Sequence, residues 1–516
     1  MKKNVSKKQI ALILVAICLV GLIGIGVSYS YFLANISTSK EENKNSNIST
    51  TTITQVVMDM QGKISSDGAY PGHKMVKEVV VRGIGSDDAT PANASIQITP
   101  DLRDFANDVT WRVYKADTPI TCTSTKHVDG GQFYEEASCN IPDSAVLMLE
   151  GGATSSFKNI VVNPNTETKY YLVIEYANKE NQSNQMGKSF SVDIGLKEKQ
   201  YPSILNERVA MLAEEDKTTL ATDDPDKNVR YIGANPNNYV YFNCSDYNNQ
   251  SDSTCEKWRI IGVFNNITKS DGTKENLVKI IRDESIGEYS WDSSDSSVND
   301  GSGVNDWTTA KLNYLLNPGH DSEFNGGSLY YNAKRGNCYD YYNNGYTSCD
   351  FTSTGLKNDT TKNAIETVVW NLGRVGYSGP PVSTFYTGER EIAYGDNPTT
   401  WTGKIGLMYP SDYGYATAGG STTSRATCLA KELGDWGSSS ASDCNNNDYL
   451  FSNAYQWTLT SFSDIDNSVF EVAPYGGVEY LYAVDSIVVR PALYLKSSIS
   501  VSSGTGESSN PYCLKF

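Results

Sequence analysis

Met75-Val-Lys-Glu-Val-Val-Val-Arg82 is the stretch on which the fold turns. Its side chains alternate with period two. Val76, Glu78, Val80 and Arg82 fall on one side, and Lys77, Val79 and Val81 on the other. That spacing suits a strand with one buried face, not a helix. Stretches of similar character occur at 55–60, 94–99, 109–114, 145–149, 157–162, 169–176 and 188–196, with spacers rich in Gly, Pro, Asn and Asp. No long helical pattern interrupts them. Strands separated by turn signals predict an antiparallel β-sandwich over 54–198.

Upstream, Lys2, Lys3, Lys7 and Lys8 precede an apolar run that begins at Ile10, and no charged residue follows until Lys40. About 20 apolar residues span a bilayer. The run predicts a single-pass signal-anchor over 9–34 in a bacterial cell membrane, with 1–8 as a cytoplasmic tail held inside by its lysines. Everything beyond would be extracellular. Ser28-Tyr29-Ser30 leaves a cleaved signal open. Residues 35–53, rich in Ser, Thr, Asn and Lys, read as a flexible stalk.

Export fits the cysteines. Cys18 lies in the apolar run, and eight others form local pairs: Cys122/Cys139, Cys244/Cys255, Cys338/Cys349 and Cys428/Cys444. Cys513 is left over. None of these pairs has CxxC spacing, so metal knuckles are disfavoured and four disulfides between sequence neighbours are predicted. In Cys338-Tyr-Asp-Tyr-Tyr-Asn-Asn-Gly-Tyr-Thr-Ser-Cys349, a turn at Asn343-Asn344 would set the two cysteines opposite each other. Closing such a loop removes about 3 kcal/mol of unfolded-state entropy.

The chain has 60 acidic and 43 basic residues, for a net charge of −17. An acidic body is a poor match for phosphates, so no nucleic-acid partner is expected. Three histidines, far apart in sequence, disfavour His-based zinc sites and triads.

Lys197-Glu-Lys-Gln-Tyr-Pro202 marks a boundary. Beyond it tyrosine and tryptophan become common, and strands mix with helices. The pattern predicts an α+β domain over 199–516. It has helices at 204–214, at 307–316 behind an Asp306 cap, and after Asp359 or Thr360. That last helix would carry Ala364, Ile365, Val368, Val369 and Leu372 on its apolar face. Strands are predicted at 239–243, 258–264, 277–282, 405–408, 456–459, 469–472, 478–482 and 488–495.

Two resemblances accompany these readings. Asp67-Gly-Ala-Tyr-Pro-Gly72, the 170–176 strand and Lys188-Ser-Phe-Ser-Val-Asp-Ile-Gly195 resemble camelysin-like and biofilm-matrix proteins of Gram-positive bacteria. That likeness implies an exported β-sandwich, in some members a fibre subunit. Asn228-Val-Arg-Tyr-Ile-Gly233, Trp258-Arg-Ile-Ile-Gly-Val263, Leu407-Met-Tyr-Pro-Ser-Asp-Tyr-Gly-Tyr415, Trp457-Thr-Leu-Thr-Ser461 and Val489-Arg-Pro-Ala-Leu-Tyr-Leu495 resemble uncharacterised surface proteins of Gram-positive gut bacteria. Their order is similar to the end of C-type-lectin-like domains of the formylglycine-generating and variable-receptor type. The likeness implies ligand binding on a loop face more than catalysis. The cysteine spacing of that enzyme's active site is missing, as are the lectin calcium motifs.

Asp292, Asp295, Asp300 and Asp306 lie in one acidic loop whose oxygens would suit calcium, although the spacing matches no EF-hand and a solvated loop is the plainer reading. No other cofactor is expected. Trp436, Trp457, Asp464, Asp466, Tyr475 and Tyr480 combine rings with polar neighbours, the mixture that glycan- or protein-binding surfaces use. Glu389-Arg390-Glu391 reads as an ion pair, and Arg490 as a buried, paired arginine. No nucleophile-elbow, zincin or P-loop motif occurs. The sequence therefore predicts a membrane-anchored extracellular binding or adhesion protein that recognises a glycan or protein. The alternatives are a carboxylate-based glycan hydrolase, whose acids need not be neighbours in sequence, and a fibre-forming matrix subunit.

Overall fold

A computed structural model describes residues 36–38, 55–60 and 70–516, except 86, 88, 90, 130–131, 180–181, 183–184, 186–187, 295–300, 323–326, 341–344, 377–378, 394–396, 438–442 and 446. The predicted membrane segment, the cytoplasmic tail and most of the stalk lie outside these residues. Among the described residues, no helix is long and apolar enough to cross a membrane. Among the described residues the protein is β-rich, with 42% strand and 14% helix. It divides into two compact units, 1–200 and 201–516.

In the N-terminal unit, the Lys74–Ile84 strand contains the stretch quoted above. Val79 and Val81 are buried in it, whereas Glu78 is exposed. The strand lies between Gln55–Met60 and Glu167–Tyr176 in a six-stranded sheet that continues to Val109–Lys115 and Val146–Gly151. The short Ile36–Thr38 strand adds in parallel to Gln55–Met60, so part of the predicted stalk belongs to this sheet. A second sheet joins Ser191–Glu198, Ala92–Asp101 and Ser156–Val162. Trp111, Leu172 and Ile174 from the first sheet and Ile96, Ile98 and Ile194 from the second share one core. One hairpin was not predicted, Thr121–Asp129 with Gln132–Asn140. Its strands are polar on both faces and give no alternation to read.

The C-terminal unit holds a seven-stranded and a five-stranded sheet. The first is built on the Glu256–Thr268 and Lys274–Arg282 pair. The second runs Glu288–Ser290, Ser486–Val488, Gln456–Ser461, Ser468–Val472, Val478–Tyr482. Six tryptophans, Trp258, Trp291, Trp307, Trp370, Trp436 and Trp457, lie in its core.

Two helix expectations need correction. The helix after Asp306 starts later, at Lys311, because Asp306 accepts from Thr308 N and Oγ1 and holds a turn instead. The apolar run after Asn358 is helical only over Asp359–Ala364. Val368–Asn371 then forms a ladder with Thr400–Gly403. Its β-branched valines suit a strand better than a helix. Similarly, the 488–495 span divides at Arg490-Pro491 into Ser486–Val488 and Ala492–Leu495, since proline cannot donate to a ladder.

All four disulfides are present: Cys122–Cys139, Cys244–Cys255, Cys338–Cys349 and Cys428–Cys444. Cys513 is free. The third hairpin differs in register from the expectation. Cys338 faces Thr347 and Cys349 faces Gly336. The pair is therefore diagonal on one face, which cross-strand spacing still permits.

Candidate functional site

The strands Ser468–Val472 and Val478–Tyr482 form a hairpin at the end of the five-stranded sheet. Its turn is Ala473-Pro-Tyr-Gly-Gly477, closed by Gly476 N donating to Ala473 O and Ala473 N to Gly477 O. Gly476 adopts φ +88, the left-handed region where a Cβ is strained, and a Cβ there would meet Asn445 at 2.6 Å. Tyr413 Oη donates to Gly476 O and Asn445 Nδ2 to Tyr475 O, which fixes the turn from both sides. The Tyr475 ring rests where Gly437 leaves room, since a Cβ on Gly437 would come within 2.3 Å of it.

Alternation along Val478-Glu-Tyr-Leu-Tyr482 sends Tyr480 and Tyr482 to one face and Glu479 to the other. Tyr480 stacks on Phe462 at 4.3 Å between centroids. Phe462 leads into the exposed loop 464–466, which carries Asp464, Ile465 and Asp466. Tyr455, Tyr475, Tyr480 and Tyr482 are 41, 41, 37 and 52% exposed, and they account for every large exposed aromatic among the described residues except Phe516. Rings cost water contact when left bare, so their gathering on one hairpin and its flanks marks a surface built for contact.

The other face carries two acids. Glu471 and Glu479 are directly opposite across the hairpin, which sets their Cβ atoms about 5 Å apart. Glu471 is fully buried, and neither carboxyl oxygen has a hydrogen-bond partner among the described residues. Burial, reinforced by the Glu479 charge, pushes its pKa up to about 8. It is a neutral acid at neutral pH, beside Tyr475, whose hydroxyl bonds Glu479.

Not every predicted residue reaches the surface of the hairpin. Trp436 and Trp457 are fully buried, a correction to their reading as ligand contacts. Trp436 packs 5.7 Å from the Tyr413 ring, and Trp457 Nε1 donates to Tyr289 O. Trp457 lies on the neighbouring strand, opposite Glu471. Tyr475, Tyr480, Asp464 and Asp466 are exposed around it. Sequence reasoning missed Tyr455, Tyr482, Glu471 and Glu479. A hairpin centred on Tyr475 was the signal for the acids, because that symmetry pairs 471 with 479.

The acidic loop does not gather ligands in the described residues. Asp292 is buried and accepts from Val304 N at 2.9 Å and Lys311 N at 3.3 Å, while Asp306 is used in its turn. Asp295 and Asp300 lie outside the described residues. No group of three or more His, Cys, Asp or Glu able to hold a metal occurs among those described.

Behind the site a charge cluster fixes the frame. Arg230 Nε donates to Asp224 Oδ2 at 2.6 Å, and its Nη1 donates to Asp412 Oδ1 at 2.9 Å. Lys279 Nζ donates to Asp412 Oδ2 at 2.6 Å. All four are buried. Burial opposes the charge on Asp412, but Lys279 and Arg230 outweigh it and hold its pKa at about 2. Glu389 accepts from Ser411 N and Oγ and from Arg390 Nη1. Burial pushes its pKa up to about 7. The cluster ties two strands and two helices together, and its burial removes it from contact with any ligand. Arg490 is buried as expected, but it donates to the carbonyls of Arg282 and Leu450 instead of pairing with an acid. It lines a cavity of about 290 Å³ with Tyr449, Phe451 and Ala454, next to Tyr455.

In comparisons with protein-family models, with curated proteins and with solved structures, the chain matches none.

Proposed function

We propose that this is a membrane-anchored extracellular binding protein. In this reading the N-terminal unit is a β-sandwich, displayed above a single-pass anchor. The C-terminal unit, C-type-lectin-like in its order of motifs, recognises a glycan or protein through the Tyr475–Tyr482 hairpin. One observation carries the reading: Tyr475, Tyr480 and Tyr482 are exposed on one hairpin, Tyr480 and Tyr482 on the face away from Glu479, while Trp258, Trp291, Trp307, Trp370, Trp436 and Trp457 are buried. A flat ring beside acids and amides stacks on a sugar or side chain while its neighbours hydrogen-bond. The four disulfides fit an oxidising compartment.

The hydrolase alternative would use the Glu471/Glu479 pair. Glu471 has no exposed surface, and a substrate must touch both acids, so binding through the exposed tyrosines is the better-supported use of the hairpin. The whole chain in detergent, applied to glycan and protein arrays, should give saturable binding to a defined class. Hydrolysis of a glycan without retention on either array would overturn the proposal.

A further inference from the structure

Away from the tyrosine hairpin, the C-terminal unit encloses a cavity of about 520 Å³, walled by Tyr201, Tyr231 and Tyr512 with Leu212 and Leu220. Arg208, on the Leu205–Glu215 helix, faces into it. Its Nε donates to Pro202 O at 2.9 Å, and its guanidinium lies 5.4 Å from the Tyr201 ring centroid and 5.8 Å from that of Tyr512. Arg282 and Arg425 of this unit each meet an acid, Glu256 and Asp223. Among the described residues no carboxylate lies within ion-pair distance of Arg208. One acid does line the cavity, Asp216, but it is occupied. Its oxygens accept from Thr218 N and Oγ1 and from Thr219 N and Oγ1.

The cavity therefore holds, between aromatic walls, a cation that makes no ion pair, in a chain of net charge −17. Half-buried guanidinium bonds to a carboxylate are charge-assisted, and tyrosine faces stack on a sugar ring. The rim adds two exposed side-chain amides, Asn235 and Asn237, which can both donate to and accept from hydroxyls. We propose that this cavity binds an acidic sugar of the hexuronate class, with Arg208 on the carboxylate, the tyrosines against the ring and the two asparagines on its hydroxyls. This site is independent of the tyrosine hairpin, and either can fail without the other.

Titration calorimetry of the whole chain with sodium glucuronate tests it. Saturable binding is expected, at least about tenfold tighter than glucose, since a charge-assisted bond is worth roughly 1.5–3 kcal/mol. Arg208→Gln should abolish that preference. Asn235→Asp keeps Arg208 in place and adds a negative rim charge. It should weaken glucuronate more than glucose, and so covers the case in which the arginine variant misfolds. No saturable glucuronate binding by the folded protein would overturn the assignment, as would equal affinity for glucose. Equal affinity for N-acetylglycine would overturn the sugar class in favour of a peptide carboxylate.

Discussion

The two units solve the same problem, filling a core between sheets, by different means. In the N-terminal unit the charges stay outside. Arg82 pairs with Glu167 and Arg112 with Glu150, all substantially exposed, and its buried charged side chain among the described residues is Glu135, held by His73 and Lys126. Two amphipathic sheet faces meet, and alternation alone specifies the packing. The C-terminal unit joins short strands and short helices by long loops, whose polar groups end up inside. It satisfies them with ions: Arg230, Lys279, Asp224 and Asp412 in one cluster, Glu389 with Arg390 in the next. A loop-rich unit needs directional contacts to choose one arrangement, and a frame fixed in this way can hold tyrosines out in water.

That contrast can be broken first at Asp412. Asp412→Asn leaves Arg230 and Lys279 under-compensated in the core and should cost about 3–5 kcal/mol in urea denaturation of the C-terminal unit. Arg82→Ala in the N-terminal unit should cost no more than about 1 kcal/mol. Equal losses would erase the distinction.

A second probe uses pH. Glu471 titrates near 8 when folded, against about 4.5 for an ordinary glutamate. The folded state therefore binds its proton more tightly. The resulting stabilisation is complete below about pH 4.5 and is lost as pH rises through 8, a fall on the order of 3 kcal/mol between pH 5 and 8. Glu471→Gln cannot ionise, so melting curves of that variant should lack this slope. Asp412 acts in the opposite sense. Its stabilisation is present above about pH 4 and is lost as pH falls through 2.

The smallest expected change in stability is at the surface. Tyr482→Ser should alter the urea midpoint little, because surface substitutions usually stay within about 0.5 kcal/mol. Its ring is the most exposed of the four. A large stability loss there would mean that the ring serves packing.

What the sequence reveals follows the same division. Period-two runs such as Met75–Arg82 announce strands before any coordinates exist, and cysteines eleven to seventeen residues apart announce their partners. The register of Cys338–Cys349 was missed by two residues, since asparagine-rich turns allow more than one closure. In the C-terminal unit, Trp436 sits among glycine and serine, as an exposed ring would, yet is buried. Its burial depends on Tyr413, 23 residues away in sequence. Lys279 reads as the polar side of a strand, and only Asp412, far along the chain, makes it an interior residue. Short-range pattern carries sheet faces, and it is silent on pairs that fold together from distant loops.

The most direct test of the central claim is retention of the whole chain on its array ligand by a Tyr480→Ser/Tyr482→Ser variant whose melting is monitored alongside. Affinity should fall about tenfold or more, at roughly 1 kcal/mol per lost ring contact, while the charge cluster keeps the unit folded. Undiminished retention, or a loss that appears only as the unit unfolds, would contradict the assignment of this face as the binding surface.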